Sequence, residues 1–148
     1  MSGTFTQLQI HIVFSVKGRQ MLINESIEEK LYKFISGVIK NNGHKLLQIN
    51  GMPDHVHILI SISPNQSISE LVKYIKQGSS HMINSSRLIR DKFSWQSGYA
   101  AFSCSKSHSS KVINYIKNQK IHHQKKSFLQ EYKTFLDENN VIYDTRFI

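Results

Sequence analysis

The chain contains two prolines, Pro53 and Pro64, and they bracket a single β-like run, "HVHILISIS", at residues 55–63. Proline cannot donate a ladder hydrogen bond, so it is kept to strand ends and edges, and a run fenced on both sides reads as one strand. Alternation divides its side chains: Val56, Ile58 and Ile60 face one way, His55, His57 and Leu59 the other. The wholly apolar set belongs to the core, which leaves both imidazoles on the opposite, open face of a sheet.

Neighbouring segments supply the rest of that sheet. In "TFTQLQIHIVFSV", Leu8, Ile10, Ile12, Phe14 and Val16 alternate with a largely polar set that includes Gln9 and His11, the period of a strand with one buried face. Ile27, Leu31, Phe34, Ile35 and Val38 recur at helical spacing over roughly residues 26–41, behind a cap at Asn24 or Ser26 and ahead of the helix-ending "NNGH". "HKLLQIN" predicts a second strand, joined through "NGMPD" to the third as a hairpin. "SISE" matches a Ser-x-x-Glu capping box and opens a second helix through Ile68, Leu71, Val72, Ile75, Met82 and Ile83, with an interruption expected near Gly78. "YAAFSCS" is the fourth strand. The order β-α-β-β-α-β is the split βαβ, ferredoxin-like plan of an α+β protein, an antiparallel sheet with helices on one face. Two further amphipathic helices follow, "HSSKVINYIKNQ" and "SFLQEYKTFLDE", the second with Phe128, Leu129, Tyr132, Phe135 and Leu136 on one side. At least one can lie over or beside the open face.

With 148 residues and no repeat or linker, one domain spanning residues 1–148 is expected. No run reaches the ~18 apolar residues of a membrane span. "MSGTFTQLQI" lacks the basic start and apolar middle of a signal peptide, so a cytoplasmic location is expected. The single cysteine, Cys104, permits no internal disulfide or thiolate zinc cluster and reads as a buried small hydrophobe. Nineteen Lys plus Arg against ten Asp plus Glu give a formal charge of +9, spread along the chain, the footprint of a polyanion binder. Nucleic acid is the leading partner, and Lys17, Arg19, Lys76, Arg87, Arg90, Lys106 and Lys111 are the candidate phosphate contacts. Trp95, Tyr99 and Phe102 are either stacking platforms for unpaired bases or members of a buried aromatic cluster.

Imidazoles two apart on a strand stand about 6.5 to 7 Å apart, close enough to lean onto one cation. A metal site needs a further donor. In "KVINYIKNQ", Tyr115 and Gln119 are four apart and share a helix face. The other helical tyrosines, Tyr32, Tyr74 and Tyr132, have Ser36, Gly78 and Leu136 at that spacing, so only Tyr115 has an amide oxygen beside it. A phenol can attack a phosphodiester if a cation polarises the phosphate and helps the phenol, with a pKa of about 10, to lose its proton. Two imidazoles and an amide suit zinc or manganese by ligand softness, whereas phosphoryl chemistry commonly employs magnesium. His11 shares the open face as an alternative ligand, a phosphate contact or a packing residue. His122, His123, Lys120, Lys125 and Lys126 read as nucleic-acid backbone contacts or solvated charge.

With "HIVFSVKGR", "GMPDHVHILI", "WQSGYAAFSCSKS", "VINYIKNQKIHH" and "VIYDTRFI" in this order, the chain resembles the single-tyrosine HUH transposases, the insertion-sequence-two-hundred-like family. The resemblance implies that His55, His57 and Gln119 hold Mg or Mn. It implies that Tyr115 cuts single-stranded DNA, leaving a 5'-phosphotyrosine and a free 3'-hydroxyl. It further implies recognition of DNA hairpins at element ends, and a homodimer in which the tyrosine helix of one subunit completes the site of the other. Two other readings fit the same residues: a hairpin-DNA-binding module without catalysis, and a metal-dependent phosphoesterase using activated water.

Overall fold

The structure, a computed structural model, describes residues 3–123 and 126–148; Lys125, among the basic residues noted above, lies outside them. Strands β1 (Gln9–Ser15), β2 (Lys45–Met52), β3 (His55–Ser61) and β4 (Ala100–Cys104) form one sheet in the order β2-β3-β1-β4. Every neighbouring pair is antiparallel. Helices α1 (Glu25–Asn41) and α2 (Ile68–Ser85) connect β1 to β2 and β3 to β4, which is the expected ferredoxin-like α+β plan. The histidine-bearing strand is central, paired with β1 on one side and β2 on the other.

Strand parity sets the main core as the sequence requires. Ile12, Phe14, Val56, Ile58 and Ile60 pack against Ile27, Leu31 and Ile35 of α1 and Leu71, Val72 and Ile75 of α2. Asn24 is the cap of α1, its side chain accepting from the Ile27 amide. Ser67 caps α2 by accepting from the Glu70 amide, but Glu70 accepts from the Tyr74 hydroxyl instead of closing the box. The interruption expected at Gly78 does not occur, and α2 runs unbroken through it. Gly78 serves close packing: a Cβ there would meet the Phe34 ring at 2.9 Å. Cys104 ends β4 partly exposed, because the edge strand gives that position no cover, so the expected burial is not found.

The second face of the sheet is roofed by a C-terminal helix. After β4 the chain forms α3 (Ser109–Lys117), the single turn α4 (Gln119–His122) and α5 (Phe128–Glu138). Phe128 and Leu136 of α5 build a second apolar cluster with Val13, Ala100 and Phe102 of the sheet, joined by Tyr132 and Phe135. The stripe on "SFLQEYKTFLDE" is therefore what buries the polar face. Ser127 and Gln130 form a full capping box at its start.

The hairpin that begins β3 is fixed by its surroundings. Its turn residues Pro53 and Asp54 offer their carbonyls to the Ile23 and Val16 amides. Gly51 lies so close to the returning strand that a Cβ would stand 2.2 Å from the His55 carbonyl oxygen. Gly51→Ala must push β2 away from the start of β3, and a loss of about 1–3 kcal/mol in urea unfolding is the expected result.

Candidate active site

His55 and His57 project from β3 to the same side, their ring centroids 5.1 Å apart, and neither has any exposed surface. The rings lie on the face away from the main core, as strand parity requires, and α5 covers them. Behind each ring stands a partner that orients it. Asp54 Oδ1 accepts from His55 Nδ1 at 2.7 Å, and His57 Nδ1 lies 2.8 Å from His11 Nε2. His11, buried on β1, is therefore a support for His57. Such outer partners fix tautomer and ring direction in histidine metal sites.

Tyr115 and Gln119 arrive from the roof. The helix expected to carry both breaks at Asn118, which leaves helical geometry with ψ 16, so Tyr115 lies in α3 and Gln119 opens α4. The turn still keeps both residues on the site. Gln119 Oε1 lies 3.2 Å from His55 Nε2, and the Tyr115 hydroxyl donates to Glu131 Oε2. Asn50 of β2 clasps this roof by donating to the Ile116 and Lys117 carbonyls. Lys120 ties it further to Glu28, Asn50 and the Gly51 carbonyl.

Two site residues were not singled out as ligands by the sequence. Glu131 of α5 is 1% exposed, and its Oε1 accepts from His57 Nε2 at 2.8 Å. Its Oε2 accepts from Gln119 Nε2 at 3.2 Å. His123, read as a nucleic-acid backbone contact or solvated charge, has a side chain only 4% exposed, with Nε2 3.0 Å from Glu131 Oε2. The available signal for Glu131 was its place: three residues after Phe128 and four before Phe135, it is a carboxylate on the apolar stripe of α5.

The donor chemistry fits a divalent cation. Ligand atoms of His55, His57, His123 and Glu131 all lie within 4.8 Å of one another. His123 Nε2 is buried yet makes no hydrogen bond of acceptable geometry, a cost that a coordinated ion would remove. Both nitrogens of His55 face oxygen acceptors, Asp54 Oδ1 and Gln119 Oε1, so Nε2 needs either a proton or a cation.

Electrostatics follow from burial and from Glu131. Burial lowers His57 to about 4 and His11 to about 3, so both rings are neutral, the form that binds metals. Burial also opposes the charged form of His55, but hydrogen bonds and charge from Asp54 and Glu131 outweigh it and raise its pKa. Despite burial, Glu131 is held well below the usual carboxylate range by His123, His55 and His57. Burial and the Glu131 carboxylate raise the Tyr115 phenol well above its ordinary value.

Acid should unfold this cluster. His11 and His57 bind protons more weakly folded than unfolded, where they titrate near 6.5. Stability therefore falls as pH drops from about 6.5 toward 4, by up to about 1.4 kcal/mol per pH unit for each ring. His55, whose pKa is raised on folding, works in the opposite sense near and above its unfolded value of 6.5, and Glu131 begins to contribute only near and below its unfolded value of 4.5. Urea midpoints at pH 7 and pH 5, with chelator present, measure the effect.

The basic candidates fall into two groups. Lys17, Arg19, Arg87, Arg90, Lys106 and Lys111 are exposed on connecting turns or the first turn of α3. Lys76 is instead half-buried, its Nζ donating to the Gln96 and Gly98 carbonyls and lying over the Phe14 ring; burial lowers it to about 8. Trp95 packs on Phe14 and Phe93, and Phe102 stacks on Phe135, so these two belong to buried aromatic clusters; Tyr99 is exposed. Among the described residues, no helix is long and apolar enough to cross a membrane.

Residues 4–119 match the family described as "Transposase IS200 like". The ISDra2 transposase TnpA of Deinococcus radiodurans is 27% identical over 122 residues, covering 79% of this chain and 87% of that protein. The transposase for insertion sequence element IS200 of Salmonella typhimurium is 26% identical over 124 residues, covering 80% of this chain and 81% of that protein. A solved Deinococcus radiodurans protein described as a transposase has the same fold, with TM-score 0.65 and 23% identity over 80% of this chain and 95% of its own. A REP-associated tyrosine transposase bound to a REP hairpin aligns with TM-score 0.63 and 14% identity over 83% of this chain and 74% of its own.

Proposed function

This chain belongs to the IS200-like transposase family of single-tyrosine HUH enzymes, and on that premise we propose that it cuts and rejoins single-stranded DNA beside hairpins, with Tyr115 as the nucleophile. The convergence of His55, His57, Gln119 and Tyr115, from segments 60 residues apart, carries the reading. His55, His57 and Gln119 would hold Mg or Mn, which would polarise the scissile phosphate and lower the cost of forming a phenolate. Tyr115 Oη then bonds to phosphorus as the bond from phosphorus to the 3' oxygen breaks. The phenol gives up its proton and the departing oxygen takes one up, leaving a 5'-phosphotyrosine and a 3'-hydroxyl. The ester is conserved, so reversal of the same step rejoins strands without ATP.

His11 and Asp54 hold the two ligand rings in direction, and Glu131 keeps Tyr115 protonated and oriented at rest. The solved relative bound to a hairpin supports hairpin DNA as the substrate class. The net charge of +9 supports a salt-dependent grip through the exposed lysines and arginines. A homodimer in which the tyrosine helix of one subunit completes the site of the other is part of the proposal. Mixing Tyr115→Phe with His57→Ala protein tests this: partial recovery of cleavage is expected, and no recovery would mean that each site is completed within its own subunit.

A labelled hairpin oligonucleotide with single-stranded flanks, incubated with the protein and Mg or Mn, should yield a protein–DNA adduct that survives denaturation. Binding without cleavage would support the module without catalysis, and cleavage without adduct a water-using phosphoesterase.

A further inference from the structure

We propose that the centre has a closed state in which His123 and Glu131 join His55 and His57 as four ligands of one transition-metal ion, and that this ion fastens α5 over Tyr115. The inference rests on the reading of His55 and His57 as metal ligands and extends it to two residues outside the His-x-His and Tyr-x-x-x-Gln pattern. The four donor groups already converge, with ligand atoms within 4.8 Å of one another. His123 Nε2 is aimed into the cluster, buried and without a hydrogen bond. Three imidazoles and one carboxylate suit the borderline ions that accept four ligands, whereas magnesium prefers six oxygens.

Closure follows from where the ligands reside. Glu131 belongs to α5, whose Phe128 stacks on the His55 ring at 4.4 Å and whose Phe135 stands edge-on to Tyr115 at 5.4 Å. His55, His57 and Gln119 have no exposed surface beneath this helix. A site with four protein ligands is coordinatively closed. A scissile phosphate can reach it only by displacing Glu131, and with it α5. Gln119, now hydrogen-bonded to Glu131 and facing His55, is the donor in place to take over when Glu131 leaves.

Cobalt(II) is the probe, because four-coordinate Co2+ absorbs visible light far more intensely than six-coordinate Co2+. Chelator-treated full-length protein should bind one Co2+ with the intense spectrum, and equimolar Mg should not displace it. Glu131→Gln and His123→Gln should each weaken binding at least roughly tenfold and lose the intense band. Amide exchange in α5 should slow on Co2+ addition in the unsubstituted chain but not in Glu131→Gln, a readout independent of catalysis. If both variants keep the affinity and spectrum of the unsubstituted protein while His57→Ala loses binding, the closed centre is overturned and the His-x-His reading stands. If the unsubstituted protein binds no Co2+, both fall.

Discussion

Tyr115→Phe is expected to abolish the covalent adduct and to slow strand cleavage at least about 10⁴-fold, the scale on which removal of a nucleophile is felt. The substitution deletes one oxygen. The ring keeps its packing against Phe135 and His122, and Glu131 loses a single hydrogen-bond donor while retaining His57 and Gln119. Folding and hairpin affinity should therefore stay close to those of the unsubstituted protein. Single-turnover cleavage of the labelled hairpin, read beside a binding titration, separates loss of chemistry from loss of grip. Persistence of the adduct would assign the nucleophile elsewhere.

His57→Ala should have the second-largest effect. It removes a ring with no exposed surface whose two nitrogens engage His11 and Glu131, and so leaves two buried groups short of a partner. Divalent-ion affinity should fall at least about 100-fold by calorimetry, with cleavage falling alongside. Thermodynamic stability should drop by about 2–4 kcal/mol from the cavity and from the hydrogen bond that the buried carboxylate loses. Cleavage undiminished in this variant would remove the metal site from the account.

The sheet was legible because strand parity and proline exclusion are local rules. Val56, Ile58 and Ile60 had to face the core, and so the two histidines had to turn away from it. Capping chemistry is equally local, and Asn24, Ser67 and Ser127 each stand where side chain and backbone require. What lay on the far face was not local. The docking of α5 onto β1 and β3 joins residues more than 70 positions apart, as in the contact of Glu131 with His57, and no periodicity within either segment names the other as partner.

The same limit explains His123 and Gly78. A histidine after a basic stretch reads as solvated until a roof is placed over it, and a glycine in a helical pattern reads as a break until Phe34 is seen against it. The Tyr115–Gln119 spacing was informative although the helix breaks at Asn118. One residue with ψ near zero bends the path without moving either side chain off the site. Glu131 was the most consequential omission, since a carboxylate on an apolar stripe becomes meaningful only once the histidines opposite it are known.

Tandem mass spectrometry of the nuclease-trimmed protein–DNA adduct locates the bond between protein and DNA. A nucleotide joined through its 5' phosphate to Tyr115 is expected, with the released strand ending in a 3'-hydroxyl. A nucleotide on any other residue, or cleaved DNA with no modified peptide, would contradict Tyr115 as the nucleophile.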